Sequence, residues 1–294
     1  MYAVVVCMVA IFFILGFLFY RTNEGFIEYT GQTEKIESIT DIIMDPYEAE
    51  EVADSFYNTL NQRNIDIRKH TIKYIHWDDI PSESRKLLRD AYQYARTTYP
   101  LPLNEIFKIA ITSNDTEGGY PHTHGDVMFL SLKTIKDNTE EELRDILVHE
   151  LSHIHQRQKR YLWEKLYISL GFKRMPQNWV EPKEIRNKTL SNPDTWEGGL
   201  WEYKGQHGVV LINDDAKTVR DHTYQVIPVY EGVSVTENLL RNDFGNVTQQ
   251  IDHPNEITAA ALQKFVKNGD TGNLKMNQVL RCWIRECQIN DNTD

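Results

Sequence analysis

The segment HELSH at residues 149–153 constrains this chain most, because it lies in the middle of a strongly predicted helix. Thr139 and Glu142 fit a capping box at the start of that helix, and apolar residues recur through it at helical spacing. Four residues are slightly more than one turn, so His149 and His153 project from one face, where their imidazoles can share an ion. The sequence therefore predicts a metal site built on a helix.

Glu150, between the two histidines, indicates how such an ion would be used. Zinc suits two neutral imidazoles and leaves room for a third protein ligand and a water. Glu150 projects beside the histidine face, where it could accept a proton from zinc-activated water as the water attacks a carbonyl. The alternative is an accidental HExxH, which chance produces in only about a few per cent of such chains. The pattern predicts Zn²⁺ as the cofactor and hydrolysis as the chemistry.

The third ligand must come from elsewhere in the chain. Gln156 and Lys159 stand where the longer pattern HExxHxxGxxH requires a glycine and a histidine, which excludes that class of site. Glu256 lies in the first turn of a second predicted helix, which Pro254 begins, and alanines at 259–261 would allow close packing against the first helix. Glu256 is the predicted third ligand; the alternative is that it only complements the positive end of its helix.

These motifs resemble the gluzincin branch of the zincin metallopeptidases, in which a glutamate from a second helix completes an HExxH site. The runs HELSHIHQR (149–157), NPDT (192–195) and HPNEITA (253–259) are similar to uncharacterised metallopeptidase-like proteins of large DNA viruses and protists. The resemblance covers roughly residues 106–266, which is most of the chain beyond its apolar N-terminus. HELSH is its most specific part.

The resemblance implies zinc ligation by the two HELSH histidines and Glu256, with Glu150 as the general base. It also implies an edge strand before the HExxH helix that binds extended substrate by backbone pairing. Residues 127–133 match such a strand, with Val127 and Phe129 as the substrate-binding residues. The expected substrate is therefore a peptide or protein.

The chain departs from the family pattern in two places. Thermolysin-like enzymes have an aspartate four residues after the ligand glutamate, and here that position is Ala260, so a partner that orients a ligating histidine must come from elsewhere. The segment between the second and third ligands is also far longer than in compact gluzincins. Four acidic residues in this segment stay open as third ligands: Glu181, Asp194, Glu197 and Glu202.

A further donor is expected near the zinc, because zincins use a tyrosine or histidine to help stabilise the negative tetrahedral intermediate. No tyrosine or histidine follows Glu256, so the donor must precede it. The extended segment before it offers His222, Tyr224 and Tyr230, and Tyr230 ranks first because it follows a proline at a predicted strand end. Alternatively, both tyrosines are core residues of a strand. The next candidates are His122, His124, Tyr203 and His207.

Three other histidines receive simpler predictions. His122 and His124 lie on one face of an extended segment, and we assign them to the rim of a cleft rather than to the metal. Histidines that flank a turn are more often hydrogen-bonded structural residues than ligands. His155 points away from the face of the HELSH histidines and is predicted to lie on the surface.

The remaining patterns predict an α+β fold. Strands are expected at 106–112 and 127–133, mostly loop at 171–215, and strands or a hairpin at 218–235. Helices are predicted at 81–98, 254–268 and 274–289, besides the HExxH helix. The expected architecture over residues 46–294 is a zincin-like domain, with a small mixed sheet, the HExxH helix below it and a mainly helical C-terminal part.

The N-terminus predicts a membrane anchor. Residues 2–20 carry no charge and are followed at once by Arg21, and 19 residues at about 1.5 Å each come close to spanning a hydrocarbon core of about 30 Å. The alternative is a cleaved signal peptide, against which stand the absence of a basic start and of a small-residue cleavage site. Residues 21–45 are polar and are predicted to form a stalk. The sequence leaves the side of the membrane open.

Composition narrows the function classes. A net charge of -11 without any basic run argues against a nucleic-acid partner, and three cysteines make no disulfide framework or cysteine-built zinc site. The prediction is a single-pass membrane-anchored zinc metallopeptidase that hydrolyses peptide bonds. The competing hypotheses are a catalytically inactive zincin-fold protein with a binding or structural role, another zinc hydrolase, or a membrane protein without metal.

Overall fold

In the computed structural model, residues 42–68, 71–103, 107–236 and 238–291 are described. They form a mixed α+β structure with two small sheets and ten α-helices. At this level the fold agrees with the prediction. The predicted membrane span at residues 2–20 and nearly all of the predicted stalk lie outside the described residues. Within the described ranges, no helix is long and apolar enough to cross a bilayer.

The helices are α1 (Pro46–Tyr57), α2 (Gln62–Asp66), α3 (Ser82–Thr98), α4 (Leu132–Asp137), α5 (Glu140–Gln158), α6 (Arg160–Leu170), α7 (Lys183–Arg186), α8 (Leu239–Phe244), α9 (Pro254–Asn268) and α10 (Leu274–Asp291). The strands are β1 (Lys108–Thr112), β2 (His122–His124), β3 (Val127–Ser131), β4 (Phe172–Arg174), β5 (Trp201–Tyr203), β6 (Gln206–Ile212) and β7 (His222–Pro228). The predicted long helices are all present.

The first sheet has the strand order β1–β3–β2, with β1 parallel and β2 antiparallel to β3. Because β3 lies between two partners, its backbone groups are already paired, and Val127 and Phe129 are buried. The prediction that this strand is the free edge is therefore wrong. The edge strands are β1 and β2, and β2 escaped prediction because its three residues are too few to give an alternating pattern.

The second sheet is antiparallel, with the order β4–β5–β6–β7. Three of its strands lie within residues 171–215; most residues of this stretch are loop, as predicted, but the prediction missed these strands. Phe172 of β4 pairs with Tyr203 of β5, which is distant in sequence and leaves no local pattern to detect. The predicted hairpin at 218–235 contains one strand, β7, which pairs with β6 upstream of it.

Helix α5 carries HELSH and is packed against α3, α6 and α9. Its N-terminus has the predicted capping box, in which the Thr139 backbone N–H donates to Glu142 Oε2 over 2.8 Å and the Glu142 N–H donates to the Thr139 hydroxyl. Its apolar stripe belongs to the main hydrophobic core: Leu143, Leu147, Leu151 and Ile154. Each such leucine stabilises the fold by about 1.5–3 kcal/mol through burial.

Helix α9 brings its first turn to the HELSH segment. Pro254 stands at its first helical position, and the helix ends at Asn268, before Gly269, whose φ of +68° suits glycine. The alanines at 259–261 are buried, and α9 packs against α5 as predicted from these small side chains. Glu256 is thereby held inside the protein and faces α5.

Two local predictions fail. His155 is buried instead of exposed, and its Nδ1 accepts a hydrogen bond from Trp163 Nε1 over 2.8 Å. Burial lowers the pKa of His155 to about 3, so it is a neutral core residue. The folded part also begins before residue 46, because Ile42 is fully buried in the main core and Ile43 bridges to Ile109 of β1.

Candidate metal centre

Three side chains from α5 and α9 converge on one point. His149 Nε2 and His153 Nε2 are 3.0 Å apart, and Glu256 Oε2 lies 3.3 Å from the first and 3.6 Å from the second. The side chains of His153 and Glu256 are almost fully buried, whereas that of His149 is 14% exposed. The structure therefore brings together the three residues predicted as metal ligands and leaves one side accessible.

The separations of these atoms fit a tetrahedral zinc site. With bonds to zinc of about 2.0–2.1 Å, tetrahedral geometry places ligand atoms about 3.3–3.4 Å apart, and the three distances of 3.0, 3.3 and 3.6 Å scatter around that value. Three atoms with lone pairs this close repel one another unless a cation or proton lies between them. Two imidazoles and a carboxylate are also a donor set that zinc favours.

Protons and a metal ion compete for this point. Burial alone would lower the pKa of His153, but the carboxylates of Asp194 and Glu256 outweigh it and raise that pKa to about 10. Burial alone would raise the pKa of Glu256, but the imidazoles of His153 and His149 hold it well below its usual value. Glu256 is therefore the carboxylate that a metal requires, and metal binding would release the proton of His153.

Gln156 orients one of the imidazoles. Its side-chain carbonyl accepts a hydrogen bond from His153 Nδ1 over 2.9 Å, so the Nε2 lone pair points toward the other two ligand atoms. Its amide nitrogen donates to the Asn255 carbonyl over 3.0 Å and to the Thr258 hydroxyl over 3.2 Å, both on α9. One side chain thus fixes the imidazole and joins the two ligand-bearing helices. Gln156 thus orients a ligating histidine, a role that Ala260, at the position of the aspartate in thermolysin-like enzymes, cannot fill.

Asn192 orients the carboxylate. Its Nδ2 donates to Glu256 Oε1 over 2.8 Å and leaves Oε2 to face the histidines. Its Oδ1 accepts a hydrogen bond from the Asp194 N–H over 2.9 Å, and Asn255 Nδ2 donates to the Asp194 carbonyl over 3.1 Å. The NPDT loop, residues 192–195, is therefore part of the support of the candidate site.

Glu150 lies beside the three ligands. It is buried, and among the described residues its Oε2 has no hydrogen-bond partner. Oxygen and nitrogen atoms of Glu150, His153 and Asp194 lie within 4.8 Å of one another. Burial and the neighbouring Asp194 carboxylate raise the pKa of Glu150 well above its usual value. A carboxylate with a free oxygen and a raised pKa can take up a proton, as a general base must.

Asp194 is held by the edge strand β2. Its Oδ1 accepts hydrogen bonds from the Thr123 backbone N–H over 2.8 Å and from the Thr123 hydroxyl over 2.5 Å. Arg157, at the end of α5, donates to the Thr123 hydroxyl over 2.6 Å and to the Pro193 carbonyl over 2.7 Å. These bonds lock the NPDT loop between β2 and α5, and they give Asp194 a structural role.

The three glutamates that compete with Glu256 as third ligand are bonded elsewhere. Glu181 accepts a hydrogen bond from a threonine hydroxyl, Glu197 pairs with an arginine over 3.0 Å, and Glu202 accepts one from a backbone N–H. In the part of the chain that the structure describes, the grouping that contains both HELSH histidines is completed by Glu256.

A cleft of about 450 Å³ opens on these residues and is lined by His149, Glu150 and Glu256. Tyr224 and His222 of β7 also line it, and the Tyr224 hydroxyl has no hydrogen-bond partner among the described residues. Tyr230 does not line the cleft; it is 44% exposed, and its ring lies beside the turn between β5 and β6. The position of Tyr230 contradicts its first rank among the predicted donors.

The lower-ranked candidates for the donor also include residues that line the cleft and residues that do not. His122 lines the cleft but is buried instead of lying at its rim. Its Nδ1 donates to the Tyr120 carbonyl over 2.9 Å, and within the described residues its Nε2 is unpartnered. His124 is buried among aromatic rings and does not line the cleft. Tyr203 donates to an aspartate and His207 bonds to a backbone carbonyl, and both also lie outside the cleft lining.

Sequence reasoning missed three residues of this region: Gln156, Asn192 and Asp252. Gln156 has a detectable signal, because it follows His153 by three positions on a helix and can therefore contact that histidine. Asn192 belongs to the NPDT run, which carries the resemblance without indicating a role. Asp252 lines the cleft just before α9 and has no motif that distinguishes it.

Comparisons of this chain with models of protein families, with curated proteins and with solved structures found no match. The site is therefore interpreted from its own geometry.

Proposed function

We propose that this protein is a zinc metallopeptidase with a zincin-like fold, held at a membrane by residues 2–20. The observation that carries the enzymatic part is the convergence of His149, His153 and Glu256 at tetrahedral separations, with the unpartnered Oε2 atom of Glu150 beside them. The resemblance in sequence supports the same function. The anchor rests on the apolar N-terminal run alone.

The proposed chemistry divides between the ion and the chain. Zinc supplies Lewis-acid polarisation and lowers the pKa of a water molecule to about 7. Glu150 accepts the proton of the attacking water and delivers it to the leaving amine. Gln156 and Asn192 hold His153 and Glu256 in orientation, which is the role of outer partners in metal sites.

The proposed substrate is an extended peptide in the cleft. Tyr120, Pro121 and His122 line the cleft at the start of β2, which is an edge strand of the first sheet. The outward-facing N–H and C=O groups of Thr123 in β2 are already bonded to Asp194 and Arg157, so the proposed binding rests on contacts with the cleft lining and not on backbone pairing with β2.

Tyr224 is the proposed donor to the tetrahedral intermediate. Burial and the Asp252 carboxylate raise its pKa, so the hydroxyl keeps its proton and can donate it in a hydrogen bond. We expect Tyr224→Phe to lower turnover by about a hundredfold, because a lost donor removes stabilisation specific to the transition state. Zinc content should not change. Tyr230→Phe, which makes the same change outside the cleft, is the control and should keep full turnover; equal effects in the two variants would rule out this role.

The function itself is tested by zinc-dependent cleavage. Full-length protein purified in detergent is incubated with an unfolded protein substrate, and new peptide termini are identified by mass spectrometry. We expect termini with zinc-loaded protein, their absence after removal of zinc by a chelator, and their return when zinc is added back. A zinc-loaded protein that cleaves nothing would favour the competing hypothesis of a catalytically inactive binding or structural protein.

A further inference from the structure

Asp252 is a carboxylate in the cleft with no assigned partner. It lines the cleft immediately before the N-terminus of α9 and is partly buried. Among the described residues, its side chain has one hydrogen bond, to its own backbone N–H. The capping role at this helix end belongs to His253, whose Nδ1 accepts from the Asn255 N–H over 3.1 Å. Asp252 is therefore not needed as the cap.

The electrostatic surroundings of Asp252 are unfavourable. Burial and the nearby charge of Glu256 raise its pKa to about 7, and no lysine or arginine of the described residues opposes them there. A second acidic group beside Glu256 adds repulsion at the start of α9, and no ion pair of Asp252 with a described lysine or arginine offsets it. Because Asp252 is only partly buried and lines the cleft, its carboxylate is accessible to a partner from outside.

The basic side chain of the cleft is already used. In the part of the chain that the structure describes, Arg68 is the one lysine or arginine that lines the cleft. Its Nε donates to Glu117 over 2.6 Å, its Nη1 to Asn64 over 2.8 Å, and its Nη2 to the Ser191 carbonyl over 2.6 Å. The cleft therefore offers no free lysine or arginine to a substrate carboxylate, whereas Asp252 offers a carboxylate to a substrate cation in addition to the proposed base Glu150.

Space beside Asp252 is kept open by a glycine. A Cβ atom at Gly208 of β6 would lie 3.0 Å from the Asp252 Cα and 3.0 Å from the Tyr224 hydroxyl oxygen. Because Gly208 has no side chain, β6, Tyr224 and Asp252 approach closely. The Asp252 carboxylate and the Tyr224 hydroxyl, which has no hydrogen-bond partner among the described residues, thus lie at the same end of the cleft.

We propose that Asp252 is a specificity-determining residue that binds a cationic nitrogen of the substrate. This inference rests on the proposed peptidase function. The cationic nitrogen could be the free N-terminal ammonium group of a peptide or the side chain of a lysine or arginine, since both present N–H donors with a positive charge to a carboxylate. The two sources imply different products: removal of single residues from the N-terminus, or internal cleavage next to a basic residue.

The test compares peptides that differ in one positive charge. At each position tested, four versions of one peptide are compared: the N-terminus is free or acetylated, and the residue at that position is lysine or norleucine. The tested positions lie on both sides of the scissile bond. Full-length zinc-loaded protein should cleave the preferred cationic version with a kcat/KM about 10- to 100-fold above its uncharged counterpart, mainly through KM. Mass spectrometry of the products identifies which nitrogen is recognised.

Asp252→Asn should reduce this ratio to about one, while Asp252→Glu should retain a preference, since a carboxylate remains. Asp215→Asn is the matched control, because Asp215 is exposed and lies outside the cleft lining. Binding of the same peptides to Glu150→Gln and to the double variant Glu150→Gln/Asp252→Asn gives a readout that does not depend on turnover.

The outcomes separate two failures. Equal cleavage of charged and uncharged peptides, or an unchanged ratio in Asp252→Asn, would overturn the role of Asp252 and leave the peptidase function standing. Cleavage of no peptide by zinc-loaded wild-type protein would overturn the proposed function and the inference that rests on it. A ratio that falls in Asp252→Asn but stays high in Asp215→Asn supports both.

Discussion

Glu150→Gln is expected to lower kcat by about a hundred- to ten-thousandfold while the protein keeps its zinc and its fold. The amide has the same shape as the carboxylate but cannot accept a proton, so the general base is lost and the three ligands remain. The Glu150 Oε2 atom has no hydrogen-bond partner in the described part of the chain, so the substitution breaks no contact of that oxygen. Steady-state kinetics with a fluorogenic peptide measure the loss, and elemental analysis measures the zinc.

The matched control is Glu141→Gln on the same helix. Glu141 lies in the first turn of α5, its side chain is 70% exposed, and it pairs with Lys267. The same chemical change there should leave kcat unaltered, because an exposed ion pair contributes little. Wild-type turnover in Glu150→Gln would refute the assignment of the base, whereas equal losses in the two variants would indicate damage to α5 as a whole.

The helices that carry the candidate ligands were predictable because their signals are local. The capping box of α5 needs only Thr139 and Glu142, and the proline and glycine that bound α9 act on their own turns. The spacing of the HELSH histidines also requires nothing beyond one helical turn. The packing of α9 against α5 followed from its alanines, since small side chains permit a close approach.

The sheets were predicted less well because strand pairing is not local. Whether β3 is an edge depends on β2, and β2 is the short segment HTH, which carries no alternation. Phe172 gains its strand conformation from pairing with Tyr203, a residue that the sequence does not connect to it. The prediction for His155 failed for a related reason. Because α5 has neighbours on several sides, polar positions outside its apolar stripe are buried as well.

Replacing any one of His149, His153 or Glu256 by alanine is expected to reduce bound zinc from about one ion per chain to near zero in full-length protein purified without chelator. Each residue supplies one of three atoms that lie 3.0–3.6 Å apart, so its loss leaves two ligands, which hold zinc weakly. Elemental analysis measures the metal. Thermal unfolding with and without added zinc provides a second readout, because zinc that binds only the folded state raises its stability.

Two further variants test whether zinc affinity depends on the partner of a ligand and whether it is unaffected by a distant histidine. Gln156→Met keeps the ligands but removes the acceptor for His153 Nδ1, and it should weaken zinc affinity by about 10- to 100-fold without abolishing binding. His76→Ala should bind zinc like the wild type, because the His76 side chain is 54% exposed and belongs to a separate turn. Wild-type protein without zinc would contradict the site as a whole. If Glu256→Ala kept its zinc while both histidine variants lost it, the third ligand would instead be assigned to Asp194. The Asp194 carboxylate lies within 4.8 Å of the ligand atom of His153.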